Sequence, residues 1–507
     1  MSDAGDAKAT RNAKSAKAGK EPKQRKGPMT KRMFGWFDDR LGAATFARRS
    51  LNKVFPDHWS FMLGEIALYC FIVLVVTGVF LTFFYVPDAK EVVYHGSYRA
   101  LRGQEMSRAY ESVLRLSFDV QAGLVFRQIH HWAALIMVGS VAAHASRVFF
   151  TGAFRKPRDV NWMLGVGLLL LTIAIGFAGY SLPDDLLSGT GLRIAYSIAL
   201  SIPFIGTWLA FLLFGGPYPS ADILNRLFVL HIFVLPALIA GVLTAHLAIV
   251  WRQKHTHFPG GRPVRTETNI QGERLFPRYA FKSTGLFLVL AGILGLLGGL
   301  AQINPVWLYG PYNPATVSGG SQPDWYVGWL EGALRLFPGW EIRAFGHEIP
   351  APFFPGVVLP GIVFTVMFLW PAIERRITGD REEHNLLNFP RELPWRTALG
   401  AAVLMFMTVL TIAGGNDLIA AFFGVSVEDM TRVLRVLVFV LPVLAYAVTY
   451  YLMRELRKSD LHPVKRAAIT TVVRTAEGGF EISEEHVGGG IPNPEGEETT
   501  TPEVVRD

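Results

Sequence analysis

The chain has 507 residues with a net charge of +8; 50% of the residues are hydrophobic and only 18% are charged. Soluble domains carry about 25% charged residues, and apolar runs such as 61–86 and 165–182 are too long for an ordinary soluble core. An ordinary soluble enzyme, a disordered protein and a fibre are excluded, which leaves a polytopic membrane protein. Much of the basic surplus lies in the first 60 residues and in alternate links, a membrane-topology pattern that argues against nucleic-acid binding.

The predicted elements begin with a basic tail, residues 1–32, which we expect to be disordered because it lacks a run of large apolar residues. Eight apolar spans follow, each of about 20 residues, which is enough for a helix to cross a bilayer. They cover 61–86, 126–150, 162–182, 227–250, 284–303, 353–373, 396–414 and 432–453. The apolar stretch 195–214 is interrupted by Pro203 and Gly206, which favours two interfacial helices. Residues 456–507 are predicted as a second, largely disordered tail.

Lysine and arginine set the predicted orientation. The N-terminal tail and the links after the second, fourth and sixth spans are basic, whereas link 183–224 holds only Arg193 and link 415–430 holds none. The positive-inside rule therefore places both termini in the cytoplasm, and links 87–125, 183–224 and 304–352 outside. A single cysteine, Cys70, rules out a disulfide within the chain and any cysteine-based iron–sulfur or zinc site.

Two spans carry paired histidines. His130 and His144 are 14 residues apart in the second span, and His231 and His246 are 15 apart in the fourth. Fourteen helical residues rise about 21 Å, so each pair places one imidazole near each side of the membrane. Ionisable residues at membrane depth are costly and usually functional. Facing helices of this kind predict two stacked bis-histidine sites, which suit low-spin, electron-transferring haems.

Glycines and arginines support this interpretation. Gly64 and Gly78 in the first span, and Gly165 and Gly179 in the third, are also 14 apart. Glycine allows a flat group to approach the backbone, although small residues also serve ordinary helix packing. Arg127 and Arg147 are candidates to pair with haem propionates at the two levels, or to act as interfacial anchors.

At this point the chain resembles cytochrome b of the cytochrome bc family, the quinol–cytochrome c reductases. The resemblance covers about residues 33–455. The segments that carry it are GWFDDRL, RQIHHW, AAHASRVFFTGAFRKPRDVNW, GYSLP, SIPFIGTW, GGPYPSADILNRLFVLHIFVLP and PDWY. The continuous eight-span layout with long tails is similar to the actinobacterial type.

The resemblance implies an all-α polytopic protein of a bacterial plasma membrane, with a di-haem four-helix bundle formed by the first four of eight helices. The implied domains are 33–255 for this bundle, 256–282 for a cytoplasmic linker and 283–455 for a C-terminal domain. It implies two non-covalent b-type haems. His130 and His231 would bind the outer haem iron, and His144 and His246 the inner one.

The family oxidises a quinol at an outer site and reduces a quinone at an inner one. In PDWY, Asp324 stands where the family usually has Glu, which implies a proton acceptor for the quinol, and Tyr326 would bond the quinone ring. Pro323, Trp325 and Gly191 would line the same site. Asp184 and Asp185, after GYSLP, depart from the family pattern; they would serve proton exit, bind a partner or simply be solvated.

The inner site is left open. Mitochondrial relatives use an acidic residue early in the fifth span, after a lysine, whereas this chain has Ser283 after Lys282. Arg252, Lys254 and His255 offer alternative donors, although a solvated basic loop fits them equally well. The position that anchors an extra covalent haem in photosynthetic relatives is Met62 here, so no such haem is expected, and Cys70 is interpreted as a core residue.

The chain lacks ligands for the second electron acceptor, so the resemblance implies a Rieske iron–sulfur subunit and a c-type cytochrome as partners. The actinobacterial likeness implies that this cytochrome is di-haem, that menaquinol is the substrate, and that a terminal cytochrome c oxidase is an additional candidate partner. It also implies a homodimer in membrane lipid. Two other hypotheses are a di-haem membrane anchor of another quinone-linked dehydrogenase, which leaves PDWY and the last four spans unexplained, and a haem-free transporter, which leaves the four histidines as coincidence.

Overall fold

The computed structural model describes residues 29–56, 58–259, 272–316, 322–344, 346–461, 469–474 and 480–485. Within these residues, eight helices are long and apolar enough to cross a membrane, which confirms the predicted number. They are α1 (Trp59–Thr82), α2 (Gly123–Phe150), α3 (Asp159–Tyr180), α4 (Ile223–Gln253), α5 (Leu275–Leu300), α6 (Phe354–Thr378), α7 (Pro394–Ala413) and α8 (Val427–Lys458).

Shorter elements connect the spanning helices. The short helices are Met29–Leu41, Ala43–Leu51, Arg108–Phe118, Leu186–Leu200, Gly206–Phe214, Val306–Tyr309, Trp325–Leu336 and Asn416–Phe423. The antiparallel strand pairs are Val54–Phe55 with Glu273–Arg274, Glu91–Val93 with Glu105–Ser107, Ile342–Ala344 with His347–Ile349, and Ile469–Arg474 with Phe480–Glu485. The stretch 195–214 contains the end of one helix and the whole of the next, so the predicted division is confirmed.

The first four spanning helices form a bundle. Helix α1 packs against α2, α2 against α3, and α3 against α4. Helix α5 covers α1 and α2, α6 contacts α3, and α7 packs against both α8 and the helix Trp325–Leu336. Cys70 is fully buried with Ala133, Met137 and Leu294 between α1, α2 and α5, which confirms its interpretation as a core residue.

Three long links meet at one end of the bundle, which we call the loop end. They are residues 83–122, 181–222 and 301–353, which follow α1, α3 and α5. Three hydrogen bonds join them: Tyr85 Oη donates to the Leu182 carbonyl at 2.7 Å, Tyr110 Oη to the Val306 carbonyl at 3.0 Å, and Leu186 N to the Gly310 carbonyl at 3.0 Å. The three links that were predicted to share one side of the membrane therefore lie together.

The opposite end, which we call the basic end, joins the link after α2 to the link after α6. Arg158 Nη1 donates to the His384 carbonyl at 2.7 Å, and Arg155 Nη2 donates to the Leu386 carbonyl at 2.9 Å. Arg396 and Glu374 form a buried ion pair of 2.9 Å just inside this end. The arginines of the link after α2, which contribute to the predicted orientation, thus also join the two halves of the chain.

Helices or strands extend across three of the predicted boundaries. The first short helix begins at Met29, inside the predicted tail 1–32, because apolar residues recur at helical spacing from Met33 onward. Helix α5 begins at Leu275, inside the predicted linker 256–282, where Glu273–Arg274 pairs with Val54–Phe55.

The second tail, 456–507, was predicted as largely disordered. The membrane-spanning part of α8 ends at Lys458, but the helix itself continues to Leu461. Ile469–Arg474 pairs with Phe480–Glu485. The β-branched residues of ITTVVR favour a strand. The other residues of both predicted tails, 1–28 and the remainder of 462–507, lie outside the described part of the chain.

Candidate functional site

The first histidine pair lies toward the loop end. His130 on α2 and His231 on α4 face each other with ring centres 6.0 Å apart and ring planes inclined by 70°. His231 Nδ1 donates to the Ile175 carbonyl of α3 at 2.9 Å, and His130 Nδ1 lies 2.9 Å from the Thr77 hydroxyl of α1. Because a carbonyl oxygen only accepts, the proton of His231 is held on Nδ1 and its Nε2 is left as a metal ligand.

The second pair lies toward the basic end. His144 on α2 is close enough to His246 on α4 for the two imidazoles to interact electrostatically. His246 Nδ1 donates to the Asn161 carbonyl at 3.1 Å, so the same tautomer is fixed. His144 Nδ1 is buried and has no hydrogen-bond partner among the described residues. Helices α2 and α4 therefore bring the four histidines together in the two pairs that their spacing predicted.

The histidine pairs fit a metal that is already held by a porphyrin. A ring-centre separation of 6.0 Å suits two imidazoles binding one ion from opposite sides, because metal–imidazole bonds are about 2.0–2.1 Å long. Among the residues that the structure describes, no group of three or more His, Cys, Asp or Glu side chains is arranged to hold a metal ion. Two protein ligands are too few for a bare structural metal site, whereas they complete the coordination of a haem iron.

Each of the four predicted glycines faces one of the four histidines. The pairs are Gly64 with His144, Gly78 with His130, Gly165 with His246, and Gly179 with His231. A Cβ atom at Gly179 would lie 2.9 Å from Nδ1 of His231, which is too close, whereas one at Gly165 would lie 3.6 Å from Cε1 of His246. The glycines therefore leave room for the imidazoles themselves, in addition to the predicted role of admitting a porphyrin face.

Both predicted arginines have buried nitrogen atoms with spare hydrogen-bond donors, although only the Arg127 side chain is buried as a whole. Arg127 Nη2 donates to the Asn304 carbonyl at 3.0 Å, but its Nε has no partner within the described residues. The Arg147 guanidinium lies 4.0 Å from the ring centre of Phe61, and its Nε and Nη2 also lack partners there. Buried donors are normally satisfied, so both side chains fit an acidic group such as a propionate.

Near the loop end, Asp324 is held between two side chains. Both of its carboxylate oxygens lie 3.1 Å from His131 Nε2, and the Tyr326 hydroxyl donates to Oδ2 at 3.3 Å. Burial, and then the adjacent carboxylate, raises the pKa of Tyr326 well above its usual range, so this hydroxyl remains a donor at neutral pH. His131 follows His130 on α2, and the offset of about 100° between consecutive helical residues turns it toward a different neighbour.

A partly open cavity begins at Pro323, next to this cluster. Its lining includes the predicted Pro323 and Gly191, together with Tyr180 and Glu331, which the sequence interpretation missed. Most other lining residues are apolar, as is usual for a ligand pocket. Asp324, Trp325 and Tyr326 are not among the lining residues. Trp325 lies beside Gly139 of α2, where a Cβ atom would be 3.6 Å from its ring.

The acidic pair after α3 is not a simply solvated surface. Asp185 is completely buried, and its carboxylate accepts hydrogen bonds from the Ser188 hydroxyl at 2.6 Å and from the Leu187 amide at 3.1 Å. It caps the helix Leu186–Leu200. Burial raises the pKa of Asp185 to about 6, and the hydrogen bonds oppose this shift. The solvated interpretation was therefore wrong for Asp185, because the helix cap places it inside the protein.

The comparisons with known proteins agree with this geometry. The family model "Cytochrome b(N-terminal)/b6/petB" matches residues 135–311. The "Cytochrome bc1 complex cytochrome b subunit" of Mycobacterium bovis is 50% identical over 446 residues, which cover 88% of this chain and 81% of that protein. The protein of the same name from Streptomyces coelicolor is 46% identical over 459 residues, covering 90% and 84%.

A solved structure titled "Hyperthermophilic respiratory Complex III" aligns with 82% of this chain and 99% of its own, with a TM-score of 0.60 and 18% identity, which supports the fold. Eight apolar helices make the chain a multi-pass membrane protein. With relatives this similar over most of their length, the chain belongs to the cytochrome b subunits of cytochrome bc1 complexes and is a component of a quinol–cytochrome c oxidoreductase.

Proposed function

We propose that this subunit binds two b-type haems without covalent attachment, oxidises a quinol near the loop end and reduces a quinone at the basic end. His130 and His231 would hold the iron of one haem, and His144 and His246 that of the other. When bound, the two haems supply a path for electrons across the membrane. The observation that carries this proposal is the pair of facing imidazole sites, about 21 Å apart along α2.

In this proposal, the quinol ring enters the cavity beside Asp324. Oxidation of a quinol releases two electrons and two protons, so the site needs a proton acceptor. We assign the role of proton acceptor to Asp324, which follows the cavity-lining Pro323 and is held by His131 and Tyr326. The carboxylate that lines the cavity itself, Glu331, is already paired with Arg335 at 2.8 Å. His131 bridges both carboxylate oxygens of Asp324 and so fixes the direction in which they point. The apolar walls exclude water from the reacting ring.

The two electrons then separate. One would go to a Rieske iron–sulfur partner at the loop end. The haems that the two histidine pairs would hold supply the path for the other electron to the quinone at the basic end, so that charge would cross the membrane and protons would be released outside. The similarity to actinobacterial relatives favours menaquinol as the substrate and a di-haem c-type cytochrome as a partner. A terminal cytochrome c oxidase and a second copy of this subunit complete the proposed assembly.

The proposed topology has both termini in the cytoplasm of a bacterium. The arginine-rich basic end then faces the cytoplasm, as the positive-inside rule requires, and the loop end faces outward. Residues 33–255 supply the histidine bundle, and residues 283–455 supply Asp324. A di-haem anchor of another dehydrogenase gives no role to Asp324 and His131, and membership of the bc1 cytochrome b subunits removes its support.

Substitution of Asp324 in the purified complex tests this proposal. We expect Asp324→Asn to slow quinol-dependent haem reduction by a factor of about 10²–10⁴, the range for loss of a general base, with an unchanged haem content. Asp324→Glu, which carries the family's usual residue, should retain activity, and Asp429→Asn, on an exposed surface, is the matched control. Unchanged quinol oxidation in Asp324→Asn would refute the assignment of Asp324, and a complex without b-type haem would refute the whole scheme.

A further inference from the structure

Glu65 is a carboxylate inside spanning helix α1, near the basic end. It follows Gly64, whose position faces His144. Its oxygens accept hydrogen bonds from three hydroxyl groups: the Tyr279 hydroxyl, the Ser283 hydroxyl at 2.7 Å and the Tyr69 hydroxyl at 3.4 Å. Among the described residues, neither lysine nor arginine pairs with this carboxylate. Helices α1 and α5 thus enclose it within a group of hydroxyls.

This arrangement requires an explanation beyond packing. An ionisable residue within a membrane span is costly, and such residues usually pair with one another or mark an ion or proton pathway. Glu65 lacks an ionic partner in the described structure, and its neighbours are hydroxyls that both donate and accept protons. Such a carboxylate is suited to exchange a proton with a molecule that enters the same site.

An aromatic wall lies beside the hydroxyl cluster. The ring of Phe55 stacks on Tyr279 with ring centres 4.7 Å apart, and it contacts His255 at 4.6 Å. The ring centre of Trp251 lies 6.1 Å from that of Phe55. His255 Nδ1 is buried and has no partner among the described residues. Flat aromatic surfaces next to a carboxylate and an unsatisfied imidazole nitrogen suit a planar ring with two carbonyl groups.

We infer that Glu65, with Tyr279 and Ser283, forms the proton-donating wall of the quinone-reducing site at the basic end. This inference rests on the proposed function, which requires such a site. Ser283 stands where the resemblance leads one to expect an acid, and its hydroxyl lies 2.7 Å from Glu65 Oε2. The Glu65 carboxylate on α1 therefore lies beside the position on α5 where an acid was expected.

The chemistry balances with these groups. Conversion of a quinone to a quinol adds two electrons and two protons, and each carbonyl oxygen becomes a hydroxyl. His144 and His246 would hold the b-type haem that supplies the two electrons, one at a time. Glu65 gives a proton to a carbonyl oxygen and recovers one from water at the basic end, where the adjacent Lys282 and Glu273 form a partly exposed ion pair of 3.0 Å. Transfer of a second proton by the same route, with the second electron, completes the quinol.

The experiment follows re-oxidation of pre-reduced haem by added menaquinone in the intact complex. An Asp324→Asn background keeps the outer site slow. We expect Glu65→Gln to slow this re-oxidation by about 100-fold, the lower range for loss of a general acid, because the amide keeps its shape but cannot give up a proton in this way. Glu65→Gln with Ser283→Asp, which moves the carboxylate across the existing hydrogen bond, should recover to within about tenfold of the parent rate.

The exposed Glu428→Gln is the matched control and should leave the rate unchanged. Re-oxidation at the parent rate in Glu65→Gln, or a double variant as slow as the single one, overturns the inference. If Glu65→Gln loses haem, Tyr279→Phe with Ser283→Ala is used, and a normal rate there overturns it as well. Quinol-driven haem reduction, measured without the Asp324 change, reports on the proposed function separately.

Discussion

Gly179 and Gly165 provide a matched test of how the histidines are held. Both glycines lie on α3 and face a histidine of α4, but a Cβ atom at Gly179 would lie 2.9 Å from Nδ1 of His231, whereas one at Gly165 would make an ordinary contact of 3.6 Å with His246. Gly179→Ala must therefore push His231 by at least about half an ångström to restore normal contact. That movement weakens its 2.9 Å hydrogen bond to the Ile175 carbonyl.

Overpacking of this kind costs about 1–3 kcal/mol, and a factor of ten in affinity corresponds to about 1.4 kcal/mol. We therefore expect Gly179→Ala to weaken binding of the haem nearer the loop end by about 5- to 150-fold, and Gly165→Ala to change haem affinity little. Reduced-minus-oxidised spectra and haem titration of the purified complexes measure this. Equal haem loss in the two variants, or full retention in Gly179→Ala, would refute the reasoning.

Two further predictions concern the loop end. His130→Ala should lose one haem, whereas His131→Ala should keep both haems and slow quinol oxidation by misorienting Asp324. Haem stoichiometry and quinol-dependent haem reduction distinguish the two variants. Haem loss in both would contradict the assignment of His131 as the partner of Asp324. Because burial raises the pKa of Asp185 to about 6, the folded protein holds this proton more tightly than the unfolded chain. The resulting stability is present below about pH 4 and lost by about pH 6, by up to about 3 kcal/mol, so Asp185→Asn should flatten the fall in melting temperature between pH 4 and pH 7. An identical pH dependence in the variant would count against this explanation.

Much of the architecture follows from local regularities in the sequence. Eight apolar runs give the eight spanning helices, because crossing a bilayer requires a minimum helix length. The helical rise then determines that His130 and His144 occupy different depths, and facing helices with the same spacing lead to paired imidazoles. These features depend only on residues within one helix or on two helices with matching patterns.

The remaining site contacts join residues far apart in the sequence. His131 contacts Asp324, and Glu65 contacts Ser283, across the interface between the first four helices and the later ones. No periodicity within α1, α2 or α5 contains this information, because it depends on how the helices are rotated against each other. The burial of Asp185 likewise depends on the turn that caps the following helix. The PDWY segment made Asp324 a candidate site residue but left its partner unassigned.

The interface between the two halves has a consequence for how such a subunit is assembled. Besides His131 with Asp324, the halves are joined by Gln128 to the Ile303 carbonyl at 2.8 Å, Trp132 to the Ala301 carbonyl at 2.7 Å, and Trp162 to the Met367 carbonyl at 2.6 Å. All are non-covalent. Two separately synthesised polypeptides, divided between α4 and α5, would still carry these contact groups and could associate to form the same site. The continuous backbone therefore acts mainly by raising the local concentration of the two halves.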